Sequence, residues 1–527
     1  MEAVAKKIEN PRVRIAPSPT GLLHIGTART ALFNYLFAKK YNGSFILRIE
    51  DTDEERSQKE YEEDILEGLK WLKIFWDEGI NPDDPKEYIG NFGPYRQSER
   101  IDIYESYIRK MLEEGTAYYC FCSKDDLEAQ RQYQMSIGQA PKYSGKCSNL
   151  SKETAEQYLK EGRPAVIRFR TPAQNVVFQD LIKGKIEFNG ALLGDITIAK
   201  DPKIPLYNLA AVIDDYEMKI SYVIRGEDHL PNTPKQILLQ EALGLPQPDY
   251  AHLPLILGSD KSKLSKRHGS VSVNEYREKG YLPEAMINFM AFLGWNPDTD
   301  REIYVINHLM EEFSLEHCQK SSAIFNIQKL DWINGFYIRN KSPKKLMELC
   351  VPYLISANLI QPIFETGGHL AGIGGVEIGE IYLMPETKEK IDPIALENII
   401  ALYQERLKYL SELPELVDFF FKKELDYPPD LLSWKEMTKP DIKGAIEALE
   451  GVIEAIKPND WARSNLEEIL VKKAAETGPE GDKGYLLWPF RVALSGKKSS
   501  APPFAIAEIL GKEKTLLRLK QAKGKLQ

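Results

Sequence analysis

Hydrophobic and polar positions near the start of the chain follow first a strand pattern and then a helix pattern. Val13 and Ile15 alternate with polar residues, and the prolines and glycine of residues 17–21 end this strand with turn chemistry. From residue 28 to residue 40, apolar positions recur every three or four residues, which predicts an amphipathic helix closed by Asn42 and Gly43. A second apolar strand follows over residues 45–49. This order of strand, helix and strand predicts parallel strands joined by a right-handed crossover.

The later pattern separates a β-rich stretch from a helical one. Helices with one apolar face are predicted over residues 55–75 and 101–112. Strands are predicted over residues 165–170, 186–188 and 195–199, and an apolar, β-rich pattern that completes the sheet resumes over 207–215 and 220–225. After residue 269 the helix candidates are residues 283–293, 308–313, 327–332, 343–359 and 393–410. The pattern therefore predicts an α/β fold with a parallel sheet, followed by a mainly α-helical half.

Length and composition limit the number of domains, the partners and the location that we expect for this protein. A chain of 527 residues can form several domains, and its net charge of −9 provides no global positive field for a polyanion. A local basic track is present at the C-terminus, where Glu513 stands among Lys512, Lys514, Arg518, Lys520, Lys523 and Lys525. The N-terminal residues lack the apolar core of a signal peptide and no apolar run reaches membrane-spanning length, so we expect a cytoplasmic protein. Five cysteines, two of them isolated, do not form a disulfide framework.

The loop before the first helix is a candidate anion site. In a parallel sheet, ligands lie beyond the carboxyl ends of the strands, where a helix N-terminus offers free amides. Gly26 in this loop permits close approach of the backbone, and His24 can donate a hydrogen bond, so a phosphate is the expected guest. The sequence has neither a P-loop nor a dinucleotide-binding fingerprint here. A lone His-x-Gly pattern is more often a turn cap, but a distant basic loop, KLSKR at residues 263–267, could reach the same phosphates.

Five segments, taken in order, resemble one known family. They are RIAPSPTG at residues 14–21, HIGTA at 24–28, RIEDTD at 48–53, VIRGEDH at 223–229 and KLSKRHG at 263–269. The second and the fifth resemble the HIGH and KMSKS signatures of class I aminoacyl-tRNA synthetases, and the others narrow the resemblance to bacterial glutamyl-tRNA synthetases. The resemblance is strong from Arg12 to about Gly335 and weaker beyond. Glutaminyl-tRNA synthetases differ in the segment equivalent to RIEDTD and end in β-barrels, unlike this chain.

The resemblance implies a domain order. Residues 1–112 and 204–270 would form the two halves of a Rossmann-type catalytic domain, the second half with the KMSKS loop. Residues 113–203 would be an insertion that holds the acceptor end of tRNA, 271–340 a helical stem-contact domain, and 341–527 an α-helical anticodon-binding domain. The glycine-dense stretch at residues 366–379 does not look like the family and is interpreted as a flexible insertion.

The resemblance also implies the chemistry. Glutamate, ATP with Mg²⁺, and tRNA(Glu) would give glutamyl-tRNA, AMP and diphosphate, in an enzyme that we expect to be a monomer. Catalysis would depend on His24, Lys263 and Lys266, and ATP would bind at His24, Gly26, Glu227 and Lys266. The glutamate pocket would contain Arg14 and Arg225 for the carboxylates, Ala16, Ser18, Glu50 for the ammonium, and Tyr207. Arginine suits this task because its planar fork binds carboxylates in bidentate fashion. Where some members have an asparagine four residues after that tyrosine, this chain has Ala211.

Three cysteines and a tyrosine form a candidate structural zinc site. Cys120, Cys122 and Cys147 fall within 28 residues, and a structural zinc ion needs four ligands. Tyr143 could be the fourth, in an arrangement that resembles zinc-bearing members of the family. Other members lack zinc, and where some have a histidine two residues after the last cysteine this chain has Asn149. The alternative is that these are ordinary buried cysteines.

Other functions are open to a chain of this kind. A non-catalytic tRNA-binding paralogue would be expected to lack His24, Lys266 or Arg225, and all three are present. Relatives that glutamylate a modified tRNA base end soon after the KMSKS loop, whereas about half of this chain lies beyond it. A HIGH-type nucleotidyltransferase needs no tRNA-binding domain, so the length of this chain argues against that function. A non-discriminating enzyme that also charges tRNA(Gln) is the remaining alternative, and the sequence does not decide it.

Overall fold

The computed structural model describes residues 8–53, 55–265, 267, 271–363 and 381–526. The chain divides into two compact units at Leu330, and the short segment Glu278–Leu282 belongs to the second unit. Within the described residues, no helix combines the length and the apolar character that crossing a membrane requires.

The strands are short and lie mostly in the first unit. Numbered along the chain, they are β1 (Arg12–Ile15), β2 (Ser44–Leu47), β3 (Gly79–Ile80), β4 (Tyr88–Ile89), β5 (Ala117–Cys120), β6 (Val166–Phe169), β7 (Asn175–Asp180), β8 (Gly184–Asn189), β9 (Thr197–Asp201), β10 (Ile204–Pro205), β11 (Tyr222–Gly226), β12 (Asp249–Leu253), β13 (Ile256–Leu257), β14 (Ala323–Ile324), β15 (Gln361–Ile363), β16 (Ile381–Leu383) and β17 (Lys390–Ile391).

The helices alternate with these strands and dominate the second unit. They are α1 (Ile25–Lys40), α2 (Lys59–Trp71), α3 (Ile101–Glu113), α4 (Lys124–Ser136), α5 (Lys152–Lys160), α6 (Tyr207–Glu217), α7 (Thr233–Leu243), α8 (Val273–Glu278), α9 (Pro283–Ala291), α10 (Ile306–Glu312), α11 (Ile327–Arg339), α12 (Pro343–Ser356), α13 (Pro393–Ala401), α14 (Leu413–Val417), α15 (Lys439–Ala455), α16 (Arg463–Thr477), α17 (Gly484–Ser495) and α18 (Pro503–Gly524).

The first strand, helix and strand form the parallel unit that the sequence predicts. β1 pairs with β2 in parallel, from Arg12 opposite Ser44 to Ile15 opposite Leu47. α1 begins three residues earlier than the apolar spacing indicates, because the side chain of His24 caps it. The helix is also more buried than an amphipathic surface helix, since it packs on the strands and against α9 and α10.

The parallel sheet continues through the second half of this unit. The amide of Ser221, just before β11, donates to the carbonyl of Arg12 at 2.9 Å, so β11 lies beside β1. β11 and β12 are parallel, and β12 in turn meets β7 in parallel at Asp180. β7 and β8 form an antiparallel hairpin. This hairpin comes from the segment predicted as an insertion, yet it extends the sheet formed by β11 and β12. A separate antiparallel sheet has the order β10, β9, β6, β5.

The sequence pattern was wrong at residues 207–215, which form helix α6 and not a β-rich stretch. Leu209, Val212 and Ile213 are buried as expected of an apolar run. A run this short does not distinguish the period of a strand from that of a helix. Here the helix also places two acids, Asp214 and Asp215, in the interior. The structure also contains β7, which the pattern did not predict.

The second unit is mainly helical, as predicted. A small antiparallel sheet of β15, β16 and β17 was not predicted. The glycine-dense residues 366–379 lie outside the described residues.

The basic C-terminal tail is not an open cationic surface, because several of its charges have internal partners. Arg518 is buried and donates to the carbonyl of Phe419 at 3.0 Å, and Lys523 pairs with Glu447 at 2.9 Å.

Asn34 joins α1 to the sheet and offers a test of this packing. Its fully buried amide donates to the carbonyl of Ile224 in β11 at 3.0 Å. We expect Asn34→Ala to lower the free energy of unfolding by about 1–3 kcal/mol, because a buried carbonyl loses its donor. The exposed helical Asn307 provides the control, and Asn307→Ala should change stability by less than about 0.5 kcal/mol. Equal urea-unfolding curves for the two variants would contradict this role of Asn34.

Candidate active site

A cavity of about 580 Å³ lies at the carboxyl ends of β1 and β11, beside the N-terminus of α1. Its walls contain all six residues predicted to bind glutamate, namely Arg14, Ala16, Ser18, Glu50, Tyr207 and Arg225. His24, Gly26 and Lys263 also line it. Lys266 lies outside the described residues. Residues about 250 positions apart in the chain are therefore brought to one cavity by the parallel sheet.

His24 caps the N-terminus of α1. Its Nδ1 accepts the amide N–H of Gly26 at 3.0 Å, so the neutral ring carries its proton on Nε2. Burial, together with the charge of Lys263, lowers the pKa of His24, which keeps the ring neutral at pH 7. The imidazole can therefore donate from Nε2. The sequence predicted free amides at this helix N-terminus, but the amide of Gly26 already donates to His24 and is not free for an anion.

A network of buried charges lies behind the cavity wall. The Arg14 guanidinium meets Asp215 through Nε at 3.0 Å and Nη2 at 3.3 Å. Arg48, which has no solvent exposure, donates to Asp215 at 2.8 Å and to Glu50 at 3.0 Å. The sequence analysis singled out Arg14 and Glu50 but missed Arg48 and Asp215, which hold them in place.

A second buried carboxylate extends the network away from the cavity. Asp214 accepts from Arg100 Nε at 2.6 Å and lies 3.8 Å from Arg48 Nε. The hydroxyl of Tyr104 and the amide of Gln97 also donate to it. The network thus pairs three arginines with three acids, so the buried charges balance. The residues are Arg14, Arg48 and Arg100, and Glu50, Asp214 and Asp215.

The two acids nearest the cavity differ in their protonation equilibria. Burial opposes ionisation of Asp215, but the charges and hydrogen bonds of Arg14 and Arg48 outweigh it and hold its pKa below the usual value. Burial raises the pKa of Glu50, and Arg48 and Arg14 only partly offset this effect. The pKa of Glu50 therefore stays above its usual value in the buried site, and a ligand ammonium beside it would favour the ionised carboxylate.

Arg225, at the end of β11, lines the same cavity without an acidic partner among the described residues. It is 5% exposed, and among the described residues no carboxylate forms an ion pair with it. Its Nη1 is buried and has no hydrogen-bond partner within the described part of the chain. Nearby, the hydroxyl of Tyr207 lies 2.8 Å from Nδ1 of His229. Burial and Arg225 lower the pKa of His229 to about 4, so this ring adds no charge at neutral pH.

Two of the predicted phosphate-site residues have protein partners. Glu227 does not line the cavity: its carboxylate accepts the amide of Leu255 at 2.8 Å and pairs with Lys183 of the β7–β8 turn. Lys263 does line it, and its Nζ lies 3.5 Å from a carboxylate oxygen of Asp228. In this structure Glu227 holds Leu255, which lines the cavity, while Lys263 is one of the basic residues that line it.

The cysteine cluster is a separate site on the antiparallel sheet and the segment after it. The Sγ atoms of Cys120, Cys122 and Cys147 all lie within 4.8 Å of one another. The Tyr143 hydroxyl lies 3.3 Å from the first of these sulfurs and 3.5 Å from the second. Tetrahedral zinc with Zn–S bonds of about 2.3 Å needs sulfurs about 3.8 Å apart, so the donor set fits zinc. The guanidinium of Arg168 lies 3.9 Å from the centre of the Tyr143 ring and helps to hold it.

Comparisons with known proteins agree with this geometry. Residues 10–332 match the catalytic domain of the class I tRNA synthetases (E and Q), and residues 345–523 match an anticodon-binding domain. Glutamate–tRNA ligase 1 of Caldicellulosiruptor saccharolyticus is 46% identical over 96% of this chain and 98% of its own length. The glutamate–tRNA ligase of Carboxydothermus hydrogenoformans is 44% identical over 95% of this chain and 97% of its own.

Solved structures give the same result. The crystal structure of a glutamate tRNA ligase from Elizabethkingia meningosepticum in complex with its amino acid has a TM-score of 0.81 and 33% identity, over 98% of this chain and all of that one. The fold, the two matched domains and the near full-length relatives all lead to one conclusion. The chain belongs to the glutamate–tRNA ligases, a family of class I aminoacyl-tRNA synthetases.

Proposed function

We propose that this enzyme activates L-glutamate with ATP and transfers it to the 3′ end of tRNA(Glu). The observation that carries the proposal is the set of charges that line one cavity, where two buried arginines, Arg14 and Arg225, lie with one buried acid, Glu50. Glutamate has two carboxylates and one ammonium. The cavity is complementary to those three charges, and glutamine would leave one arginine without a partner.

The reaction has two steps. An oxygen of the glutamate α-carboxylate attacks the α-phosphorus of ATP, forming an acyl phosphate bond and releasing diphosphate. A hydroxyl at the 3′ end of the tRNA then attacks the acyl carbon, and AMP leaves. Negative charge grows on the phosphoryl oxygens in the first step, so fixed donors and cations lower the barrier. In our proposal His24 Nε2–H, Lys263 and Lys266 supply them, and Mg²⁺ accompanies the phosphates of ATP.

The two arginines have different roles in this proposal. Asp215 already compensates the charge of Arg14, whereas no described acid forms an ion pair with Arg225. A substrate group that meets Arg225 must therefore bring the compensating charge. We assign the side-chain carboxylate of glutamate to Arg225 and the α-carboxylate to Arg14, with the substrate ammonium on Glu50.

The remaining assignments follow the domain matches. Residues 113–203 would hold the acceptor end of tRNA, residues 271–340 would contact its stem, and residues 341–527 would bind the anticodon. Cys120, Cys122, Tyr143 and Cys147 would hold one structural zinc ion in the acceptor-binding segment. No observation favours a form that also charges tRNA(Gln). The monomeric state stays a prediction.

Lys266 tests the assignment of the KLSKR loop. Lys266→Ala should lower kcat for glutamyl-adenylate formation by on the order of 100-fold or more and change the glutamate KM little, because the charge that it stabilises develops in the transition state. Lys261→Ala removes a charge from the same loop outside the motif and should leave kcat near that of the parent. A Lys266→Ala enzyme that charges tRNA at the parental rate would contradict the assignment.

Metal analysis tests the cysteine cluster. The purified protein should contain about one equivalent of zinc, and Cys147→Ser should lose it. Cys318 is a buried cysteine outside the cluster, so Cys318→Ser should keep the metal. A fully active preparation without zinc would leave the cysteines with a packing role only.

Arg225 tests the specificity assignment. Arg225→Gln should weaken glutamate strongly and narrow its advantage over glutamine, because breaking one side of a buried charge pair costs about 3–5 kcal/mol. The measurement is kcat/KM for both amino acids in the presence of tRNA(Glu). Arg14→Gln is the matched comparison and should weaken both amino acids alike, since both have an α-carboxylate. If Arg14→Gln loses the preference and Arg225→Gln keeps it, the two carboxylates are assigned to the wrong arginines.

A further inference from the structure

Arg225 is held by neutral groups on two of its three nitrogens. Its Nε donates to Nε2 of His252 at 3.2 Å, and its Nη2 donates to the hydroxyl of Thr233 at 2.8 Å. The third nitrogen, Nη1, is also buried but has no partner among the residues that the structure describes, and Arg225 lines the cavity. Two fixed contacts define the plane of the guanidinium and leave one edge for a ligand.

His252 can accept from Arg225 only in one tautomer. Its Nδ1 lies 2.6 Å from a carboxylate oxygen of Asp180, and both side chains have no solvent exposure. A carboxylate accepts, so the proton lies on Nδ1 and the lone pair on Nε2 faces Arg225. The opposite tautomer, or a protonated ring, would place an N–H against the guanidinium. Burial lowers the pKa of His252 and so favours the neutral ring.

Asp180 is itself fixed by the backbone. One carboxylate oxygen accepts the amides of Ile182 at 2.9 Å and Lys183 at 2.7 Å, and the other accepts the amide of His252 at 3.1 Å. These bonds and the His252 ring outweigh burial and lower the pKa of Asp180, so the acid stays ionised. The arrangement is a chain of three side chains, Asp180, His252 and Arg225, in which each fixes the next.

We propose that Asp180 and His252 are positioning residues for glutamate specificity. Asp180 selects the His252 tautomer that accepts from Arg225, and His252 in turn directs Arg225 Nη1 at the side-chain carboxylate of the substrate. The inference rests on the proposed assignment of Arg225. Asp180 ends β7, in the segment assigned to the acceptor end, so the glutamate pocket is completed by a hairpin from outside the two Rossmann halves.

Two substitutions at residue 252 separate positioning from packing. The amide of asparagine reaches about as far as Nδ1 of histidine, and that of glutamine about as far as Nε2. His252→Asn keeps a donor for Asp180 but loses the acceptor for Arg225, so the glutamate KM should rise by on the order of 10-fold or more. His252→Gln restores an acceptor at that position and should recover much of the loss. The KM for ATP should not change in either variant.

A buried acid elsewhere in the same unit provides the control. Glu78 accepts from Arg12 at 2.7 Å and from Tyr95 at 2.8 Å and does not line the cavity. Glu78→Gln and Asp180→Asn each remove one buried charge, so both should lower the melting temperature. Only Asp180→Asn should also raise the glutamate KM and narrow the preference for glutamate over glutamine.

The outcomes distinguish this inference from the function on which it rests. If Arg225→Gln leaves the preference intact, the assignment of Arg225 fails. If Arg225→Gln loses the preference while Asp180→Asn behaves like Glu78→Gln, and His252→Asn does not raise the glutamate KM, the positioning role is wrong. Should His252→Asn fail to fold, the comparison of Asp180→Asn with Glu78→Gln decides the question.

Discussion

The fully buried guanidinium of Arg48 is the charge on which the wall of the cavity depends. Asp215 and Glu50 both accept hydrogen bonds from it, and Asp214 lies 3.8 Å from it. A buried charge is tolerated only when it is paired and hydrogen-bonded, and removal of one member leaves the others uncompensated. Arg48 thus allows α6 to place two acids in the interior. It also fixes Asp215, which orients Arg14, and it fixes Glu50 on the cavity wall. The cavity wall and the core therefore depend on the same set of paired charges.

This balance explains why two arginines in one cavity need not be equivalent. Arg14 belongs to the neutral network, since Asp215 compensates it through two contacts. Among the described residues, Arg225 donates hydrogen bonds to His252 and Thr233, both neutral, so its charge is not compensated by an acid. A buried cation without an acid is costly in the empty protein, and a carboxylate that reaches it relieves that cost. In the proposed assignment, specificity for a charged side chain follows from that difference, because glutamine brings no charge.

The sequence predicted the parts of this site that lie in local motifs. The parallel unit of β1, α1 and β2 followed from apolar spacing, and the family resemblance named residues that the fold does bring to one cavity. The partners behind the wall were missed because their pairings are not local: Asp215 meets Arg14 across 201 positions, and His252 meets Asp180 across 72. A polar residue inside an apolar run, such as Arg48 in FILRI or His252 in YAHL, was the available signal. Helix α6 was mistaken for β structure because a short apolar run fits either period.

A crystal structure of this enzyme with glutamate bound, and no ATP, would test the account most directly. The account predicts the side-chain carboxylate within hydrogen-bond distance of Arg225 Nη1, the α-carboxylate at Arg14 and the ammonium at Glu50, with the contacts of Arg225 to His252 and Thr233 retained. A side-chain carboxylate bound at Arg14, or an Arg225 that has left His252 to reach the ligand, would contradict it.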